Sequence, residues 1–448
     1  MTSAAPSEAS RWRRLVDRLP GGRLVRQAYV VVGGTVAGQI LQLLSTPILS
    51  RLYTPDDFGV FAVFFSVVSV GYVIGSLRYE LAIALPKRDG EAINVLALAL
   101  VLAVVTAVLI GAVGLVWGDD LAAAVNVPAF ADYVWVVVLA LVVAGWYQAL
   151  NLWAVRKRDF GVVGGSSLTQ GAGLAVGQVG LGAVTTGPGG LLFGTVVSWT
   201  AGCAPLLPPL WRRDRESLTL ISLRGMRRAA ARYRRFPLFG VLSGLLNRGA
   251  LEAGGVALAA IYGPAVAGLF LLGRRLMVAP AVLISTSVQQ VYLGESSRLL
   301  HEAPQRLVAL YRQTARKLFV LSIAPTILLA TVSPWAFELI FGPEWREAGV
   351  YTQILAPVFL FQVTVMPLGS TFAILERQDL QLLRDAIRMA MVVGGLVLCA
   401  SYGLSARWAV FSYSVSISLG YVLQYVLGLR EVKRHSAEHA GSSVDPVM

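Results

Sequence analysis

Long apolar runs alternate with short polar connections along this chain, and that alternation limits what it can fold into. A hydrocarbon core about 30 Å thick is crossed by roughly 20 apolar residues of helix. Twelve such runs are present, near residues 28–50, 59–84, 93–117, 133–155, 162–184, 189–210, 237–262, 266–292, 318–336, 350–374, 387–403 and 407–428. Charged residues are 14% of the chain and hydrophobic ones 56%, whereas a soluble domain carries about a quarter charged residues. An ionised side chain in the bilayer core costs several kcal/mol, which accounts for the deficit. The expected fold is therefore an all-α polytopic membrane protein of about twelve transmembrane helices. The closest-set spans are separated near 184–190 and 403–407, and TTGPGG in the first of these reads as a tight turn. The first apolar run is over 20 residues long and the N-terminus has no A-x-A-like cleavage site, so the run reads as the first span and not as a signal peptide.

Lysine and arginine set the orientation. With a cytoplasmic N-terminus and strict alternation, cytoplasmic segments hold 31 of the 38 basic residues, including nine arginines between Arg212 and Arg235. Outer segments hold only Arg51, Arg346 and Arg407, and four basic residues remain within spans. The formal charge of +13 is thus read as a topology signal facing anionic lipid heads, with no nucleic-acid partner.

The longest internal polar connection, 211–236, falls at the midpoint. It divides the chain into a basic N-terminal segment (1–27), an N-lobe (28–210), the linker itself, a C-lobe (237–428) and a polar tail (429–448). Within the linker, LRGMRRAAARYRRF has the composition of a basic helix lying on the membrane surface. The halves also show signs of duplication. Span two opens DDFGVFAVFF at Asp56 and span eight opens AVAGLFLLGR at Ala265; span four ends LWAVRKRDF at Phe160 and span ten ends FAILERQDL at Leu380. The offsets, 209 and 220 residues, suit the internal repeats of a two-lobed transporter.

Catalytic and cofactor motifs are missing. No G-x-x-x-x-G-K-[ST] phosphate loop, HExxH or nucleophile elbow occurs, and His301, His435 and His439 have no metal-ligand spacing. No cofactor is expected. Cys203 and Cys399 lie in apolar runs and read as small hydrophobes. Asp119 and Asp120 read as a solvated helix-ending turn.

Ionisable residues inside spans are costly and mark function. Six stand out: Arg78, Glu80, Arg248, Glu252, Arg274 and Arg275. Arg78 and Glu80 fall near the cytoplasmic edge of span two, as an anchor or as a contact for an anionic headgroup. Arg248 sits near the middle of span seven, with Glu252 at i+4 on the same face. Arg274 and Arg275 lie about a third of the way along span eight. Adjacent residues point about 100° apart on a helix, so one of the two is expected to face a common cavity. Three arginines against one acid leave positive charge that needs water or an anion, and the guanidinium fork suits phosphate. The candidate substrate-binding residues are Arg248, Arg274, Arg275 and Arg78; the coupling candidates are Glu252 and Glu80.

Four stretches resemble the polysaccharide biosynthesis proteins, the O-antigen-type oligosaccharide flippases of the multidrug/oligosaccharidyl-lipid/polysaccharide exporter superfamily. They are PILSRLYTPDDFGVFAVFFSVVSV from Pro47, RYELAIALPKRDGEAINVLAL from Arg78, FGPEWREAGVYTQILAPVFLFQ from Phe341 and MPLGSTFAILERQ from Met366. The resemblance implies two six-helix lobes around a central cavity that opens alternately to each side. It also implies transport of undecaprenyl-diphosphate-linked oligosaccharide between leaflets of the inner membrane, driven by an ion gradient or membrane potential. Both termini would be cytoplasmic, and a polysaccharide polymerase and glycosyltransferases would be partners beside membrane lipids. A drug exporter of the same fold, a lipid II flippase and a membrane glycosyltransferase are the competing readings; the arginines disfavour the first and the short outer loops the last. On this topology a cysteine placed in 118–132 is labelled by an impermeant reagent on intact cells. Labelling only after permeabilisation would reverse the orientation.

Overall fold

The computed structural model describes residues 22–375 and 377–441. Much of the basic N-terminal segment and the end of the polar tail lie outside the described residues. Among the described residues there is no strand. Twelve long helices carry the fold: α1 (Gly22–Leu52), α2 (Pro55–Ile74), α3 (Asp89–Ala124), α4 (Val134–Arg156), α5 (Phe160–Gly182), α6 (Gly189–Cys203), α7 (Val241–Tyr262), α8 (Pro264–Glu302), α9 (Pro304–Phe341), α10 (Arg346–Val365), α11 (Gln378–Ser401) and α12 (Ala406–Gly441). Among the described residues nine helical stretches are long and apolar enough to cross a membrane by length and composition; eight fall on helices above, and the one that begins with α6 runs on from Gly189 to Arg213. The other three, α5, α7 and α11, carry the Gly- and Gln-rich or charged faces described below. This is an all-α polytopic membrane protein in two lobes, α1–α6 and α7–α12.

Local chemistry sets the helix starts and stops. At α2, Thr54 is the N-cap: its hydroxyl accepts from the Asp57 amide (3.2 Å), and the Asp57 carboxylate accepts from the Thr54 amide (2.9 Å). Pro55 follows at the first helical position, where its missing N–H costs nothing. Between α7 and α8 the chain reverses at Gly263, whose φ of +92° suits glycine, and Pro264 starts the next helix. The two close-set spans separate as expected, at Gly187 (φ +78°) and Gly403 (φ +59°). α3 runs past the expected span end, so Asp119 and Asp120 are exposed positions near its C-terminus. Both cysteines are buried and free.

Helices without a hydrophobic drive between them associate through small residues. In the N-lobe, a Cβ on Gly34 of α1 would lie 2.1 Å from the Gly164 carbonyl oxygen of α5, which explains why α5 trades apolar bulk for glycine. Between the lobes the same device appears twice, in mirrored form. A Cβ on Gly59 of α2 would lie 2.0 Å from the Pro264 carbonyl oxygen of α8, and one on Gly268 of α8 would lie 2.0 Å from that of Pro55 on α2. The two Pro-x-x-x-Gly starts, 209 residues apart, therefore pack against each other as equivalent halves. Beside them Trp345 is fully buried, donates from its indole N–H to the Ser50 carbonyl (3.1 Å) and meets Phe58 edge-on at 5.1 Å. This end of the molecule is closed.

The linker lies at the opposite end and is clasped to the N-lobe. A helix does form there, Leu223–Arg232. It packs against α3, with Ala229 buried and the Ala230 carbonyl accepting from Tyr79 (3.1 Å). Lys157 pairs with both Asp89 (2.6 Å) and Asp214 (2.7 Å), and the Trp153 indole donates to Asp214 (2.9 Å).

Because Gly59 and Gly268 strain the same contact when enlarged, Gly59→Ala and Gly268→Ala should each destabilise the protein by about 1–3 kcal/mol. The double variant should lose less than the sum. Melting temperatures in detergent test this; a Gly268→Ala protein that melts like the parent would contradict the contact.

Candidate functional site

A cavity of about 890 Å³ lies between the lobes, near the upper end of the range for small-molecule pockets, about 300–1,000 Å³. Along α8 its lining runs from Leu271 to Leu293, about 33 Å at 1.5 Å per residue. It therefore begins one turn inside the closed end and continues to the linker end, where Gln381 at the start of α11 also contributes.

Arg248, Glu252, Arg274 and Arg275 all line this cavity. Glu252 is 3% exposed and joins two of the arginines. Its Oε2 accepts from Arg274 Nη2 at 2.8 Å, and its Oε1 pairs with Arg248 Nη2 at 3.3 Å. The i,i+4 pair foreseen on one helix is thus a three-residue bridge across α7 and α8. Arg274 also donates to the Leu251 carbonyl. Arg248 donates to Ser69 Oγ of α2 at 2.9 Å, so it touches the N-lobe as well. Removing one partner from a buried ion pair costs about 3–5 kcal/mol, since the other is left charged and uncompensated.

Arg274 and Arg275 both face the cavity, whereas the 100° rule allowed for one. The cavity wraps α8 widely enough to take in positions 271, 274, 275, 278 and 282. The two arginines then diverge. Arg274 is paired, while Arg275 has no ion pair among the described residues and its buried Nη2 has no hydrogen-bond partner there.

Arg78 and Glu80 do not line the cavity. α2 stops at Ile74 and the chain turns through left-handed conformations at Leu77 (φ +49°) and Arg78 (φ +64°). That turn carries the Arg78 side chain off the α2 face and against Gly244 of α7. Glu80 is 1% exposed, accepts from Ser76 and from Gln148 Nε2 (3.1 Å), and lies 3.8 Å from Arg78. The pair belongs to the junction of α2 with α7, at the linker end.

Two further cavity arginines count from sequence as cytoplasmic, Arg384 ahead of the expected span and Arg388 at its first turn. The span placed at 387–403 begins at Gln378, so Arg384 and Arg388, assigned from sequence to a cytoplasmic segment, are buried in the C-lobe and line the cavity. Asp385, fully buried, accepts from Arg384 (2.7 Å) and Arg388 (3.2 Å) through one oxygen, and its other oxygen has no partner among the described residues. Arg384 also donates to Gln424 of α12 (2.7 Å) and Arg388 to Asn247 of α7 (2.7 Å). The spacing was the available signal: Arg384 and Arg388 are i,i+4 on one helix face, with Asp385 three residues before Arg388. Those three charges lower the local hydropathy and push an apolar boundary past them.

Asn247 and Arg248 are consecutive on α7, so one turn of α7 joins both clusters. Among the described residues five arginines line the cavity against one lining carboxylate, Glu252; counting Asp385 behind the wall, three of these positive charges remain uncompensated. Among the described residues the N-lobe wall carries no charged residue. Its lining is amide, hydroxyl, aromatic and, at Leu43 and Leu174, aliphatic, from α1, α2, α5 and α6.

Comparisons with known proteins agree with this architecture. An inward-facing multidrug resistance MATE family transporter of the MOP superfamily superposes with a TM-score of 0.64 at 16% identity, over 89% of this chain and 96% of that one. An outward-facing MATE family transporter gives 0.58 at 16% identity, over 92% and 96%. A MOP superfamily transporter from Pyrococcus furiosus, described by the reverse polarity of its binding pocket, gives 0.59 at 16% identity, over 92% and 96%. Comparison with curated proteins returns no match. The polysaccharide biosynthesis protein family model matches residues 48–350, well over half of the chain, and the protein belongs to that family.

Proposed function

We propose that this protein is a flippase that moves undecaprenyl-diphosphate-linked oligosaccharide from the inner to the outer leaflet of the cytoplasmic membrane by alternating access, for cell-surface polysaccharide synthesis. The observation that carries the reading is the cavity's charge: among the described residues, five lining arginines with a single lining carboxylate. An uncompensated guanidinium in a low-dielectric wall is costly unless water or an anion meets it. A diphosphate offers several acceptor oxygens and matches the guanidinium fork.

The cavity's direction suits uptake from the cytoplasmic leaflet. Arg384 and Arg388 leave the count of basic residues in exposed cytoplasmic segments, reducing it from 31 to 29, and the asymmetry against three outer ones persists. With the linker end in the cytoplasm, the molecule is closed outward and its cavity reaches inward. The same charge disfavours export of organic cations. A lipid II flippase shares the charge logic and remains the second reading within the fold. Polymerase and glycosyltransferase partners belong to this proposal, as suppliers and users of the lipid-linked glycan.

Glu252 holds Arg248 and Arg274 in the absence of substrate. A phosphate that takes over either arginine loosens this bridge, which is why Glu252 is the coupling residue of the proposal. Glu80, away from the cavity, joins the linker-end junction of α2 and α7.

Arg275→Ala separates function from folding. A charge-assisted hydrogen bond contributes about 1.5–3 kcal/mol, so transport should fall roughly 10- to 100-fold. Melting temperature should stay level or rise, since an unpaired buried cation is removed. Arg248→Ala should abolish glycan export with membrane insertion intact, and full export would remove Arg248 from the site. Glu252→Gln should flatten the dependence of transport on proton concentration. A variant as pH-dependent as the parent would leave Glu252 a structural partner.

A further inference from the structure

The two walls of the cavity differ in kind. Among the described residues every charged lining residue comes from the C-lobe, on α7, α8 and α11, while the N-lobe contributes Gln39 and Gln42 from α1, Gln170 from α5, and Thr195, Ser198 and Trp199 from α6 among its polar and aromatic positions. Such a wall offers an anion no charge to pair with. Neutral amides and hydroxyls both donate and accept hydrogen bonds, as sugar hydroxyls do.

Two details show that this wall is built and left unsatisfied. Gln39 Oε1 is buried without a hydrogen-bond partner among the described residues, and a buried acceptor without a donor costs about 1–3 kcal/mol. Trp199 lines the cavity with its ring held nearly parallel to Tyr72, 12° between planes and 6.5 Å between centroids. A fixed indole offers a flat, polarisable surface whose negative face attracts the slightly positive C–H groups of a sugar ring. Ser198 donates to the Gln170 carbonyl (2.9 Å), which ties α6 to α5 and fixes the spacing of Gln170 and Trp199.

We infer that the N-lobe wall is a glycan subsite, in which Trp199 stacks on a sugar ring and Gln39, Gln42 and Gln170 bind its hydroxyls, while the C-lobe arginines hold the diphosphate. The inference rests on the flippase reading and adds to it a fixed orientation of the headgroup: phosphates toward α7, α8 and α11, sugar toward α1, α5 and α6. It also places glycan selectivity in the N-lobe, in residues that carry no charge.

The test uses the full-length protein in lipid nanodiscs and two probes: undecaprenyl diphosphate, and the same lipid bearing an N-acetylglucosamine trisaccharide. The parent should bind the glycosylated lipid more tightly. Trp199→Ala should weaken that probe at least tenfold while binding of bare undecaprenyl diphosphate changes less than twofold. Trp199→Phe should restore most of the loss, and Gln39→Ala, which need not disturb the Tyr72 contact, should give the same selective loss to a smaller degree. Arg275→Ala should weaken both probes alike. If the parent binds both lipids equally, or if Trp199→Ala and Gln39→Ala weaken both in parallel, the glycan subsite is overturned while the anion-binding cavity stands. If the parent binds neither probe, the flippase reading fails with it.

Discussion

A guanidinium held within a membrane-spanning bundle needs acceptors, and where this chain supplies them, and where it does not, determines the rest of the arrangement. Glu252 and Asp385 each serve two arginines. Backbone and amide oxygens of Leu251, Asn247 and Gln424 take part of the remainder. Arg275 receives none of these. The C-lobe is thereby neutralised far enough to fold and left positive enough to attract an anion. The cost is met by the lobe's own helices, since α7, α8, α11 and α12 are pinned together by the same contacts.

The network does more than hold charge. α7 is its hub, because Asn247 reaches α11 while Arg248 reaches α8 through Glu252 and α2 through Ser69. A ligand that claims Arg248 would therefore loosen one of the contacts joining the lobes. At the closed end the mirrored Pro55–Gly59 and Pro264–Gly268 starts meet backbone to backbone, beside the hydrogen bond from the Trp345 indole to the Ser50 carbonyl. Polar contacts near the centre and close-packed glycines at one end suit two lobes that rock against each other.

The membrane class, the two halves and three cavity arginines were legible in the sequence, for physical reasons. Apolar length reports the bilayer, basic segments report the sides, and Arg248, Arg274 and Arg275 interrupt otherwise apolar runs. The phrases that resembled the family prove to be junctions. YTPDDFG forms the capped start of α2 and half of the lobe contact, and FGPEW places Trp345 against Ser50. What stayed hidden depended on tertiary facing. Arg384 and Arg388 look like loop residues because their charge masks the helix that carries them. Arg78 looks like a cavity residue until the left-handed turn at Leu77 diverts it. The glutamines of the N-lobe wall carry no signal in sequence, because an amide in a membrane helix gains meaning only from the cavity it faces.

The central claim is that excess positive charge on one wall of an inward-reaching cavity serves a diphosphate-linked glycan. Purified protein in proteoliposomes, with a fluorescent undecaprenyl-diphosphate-linked oligosaccharide in both leaflets and a quencher added outside, measures it directly. The account predicts that the protected fraction becomes accessible faster with the protein than without it, and that organic cations are not transported. Transport of an organic cation with no movement of the glycolipid would contradict it.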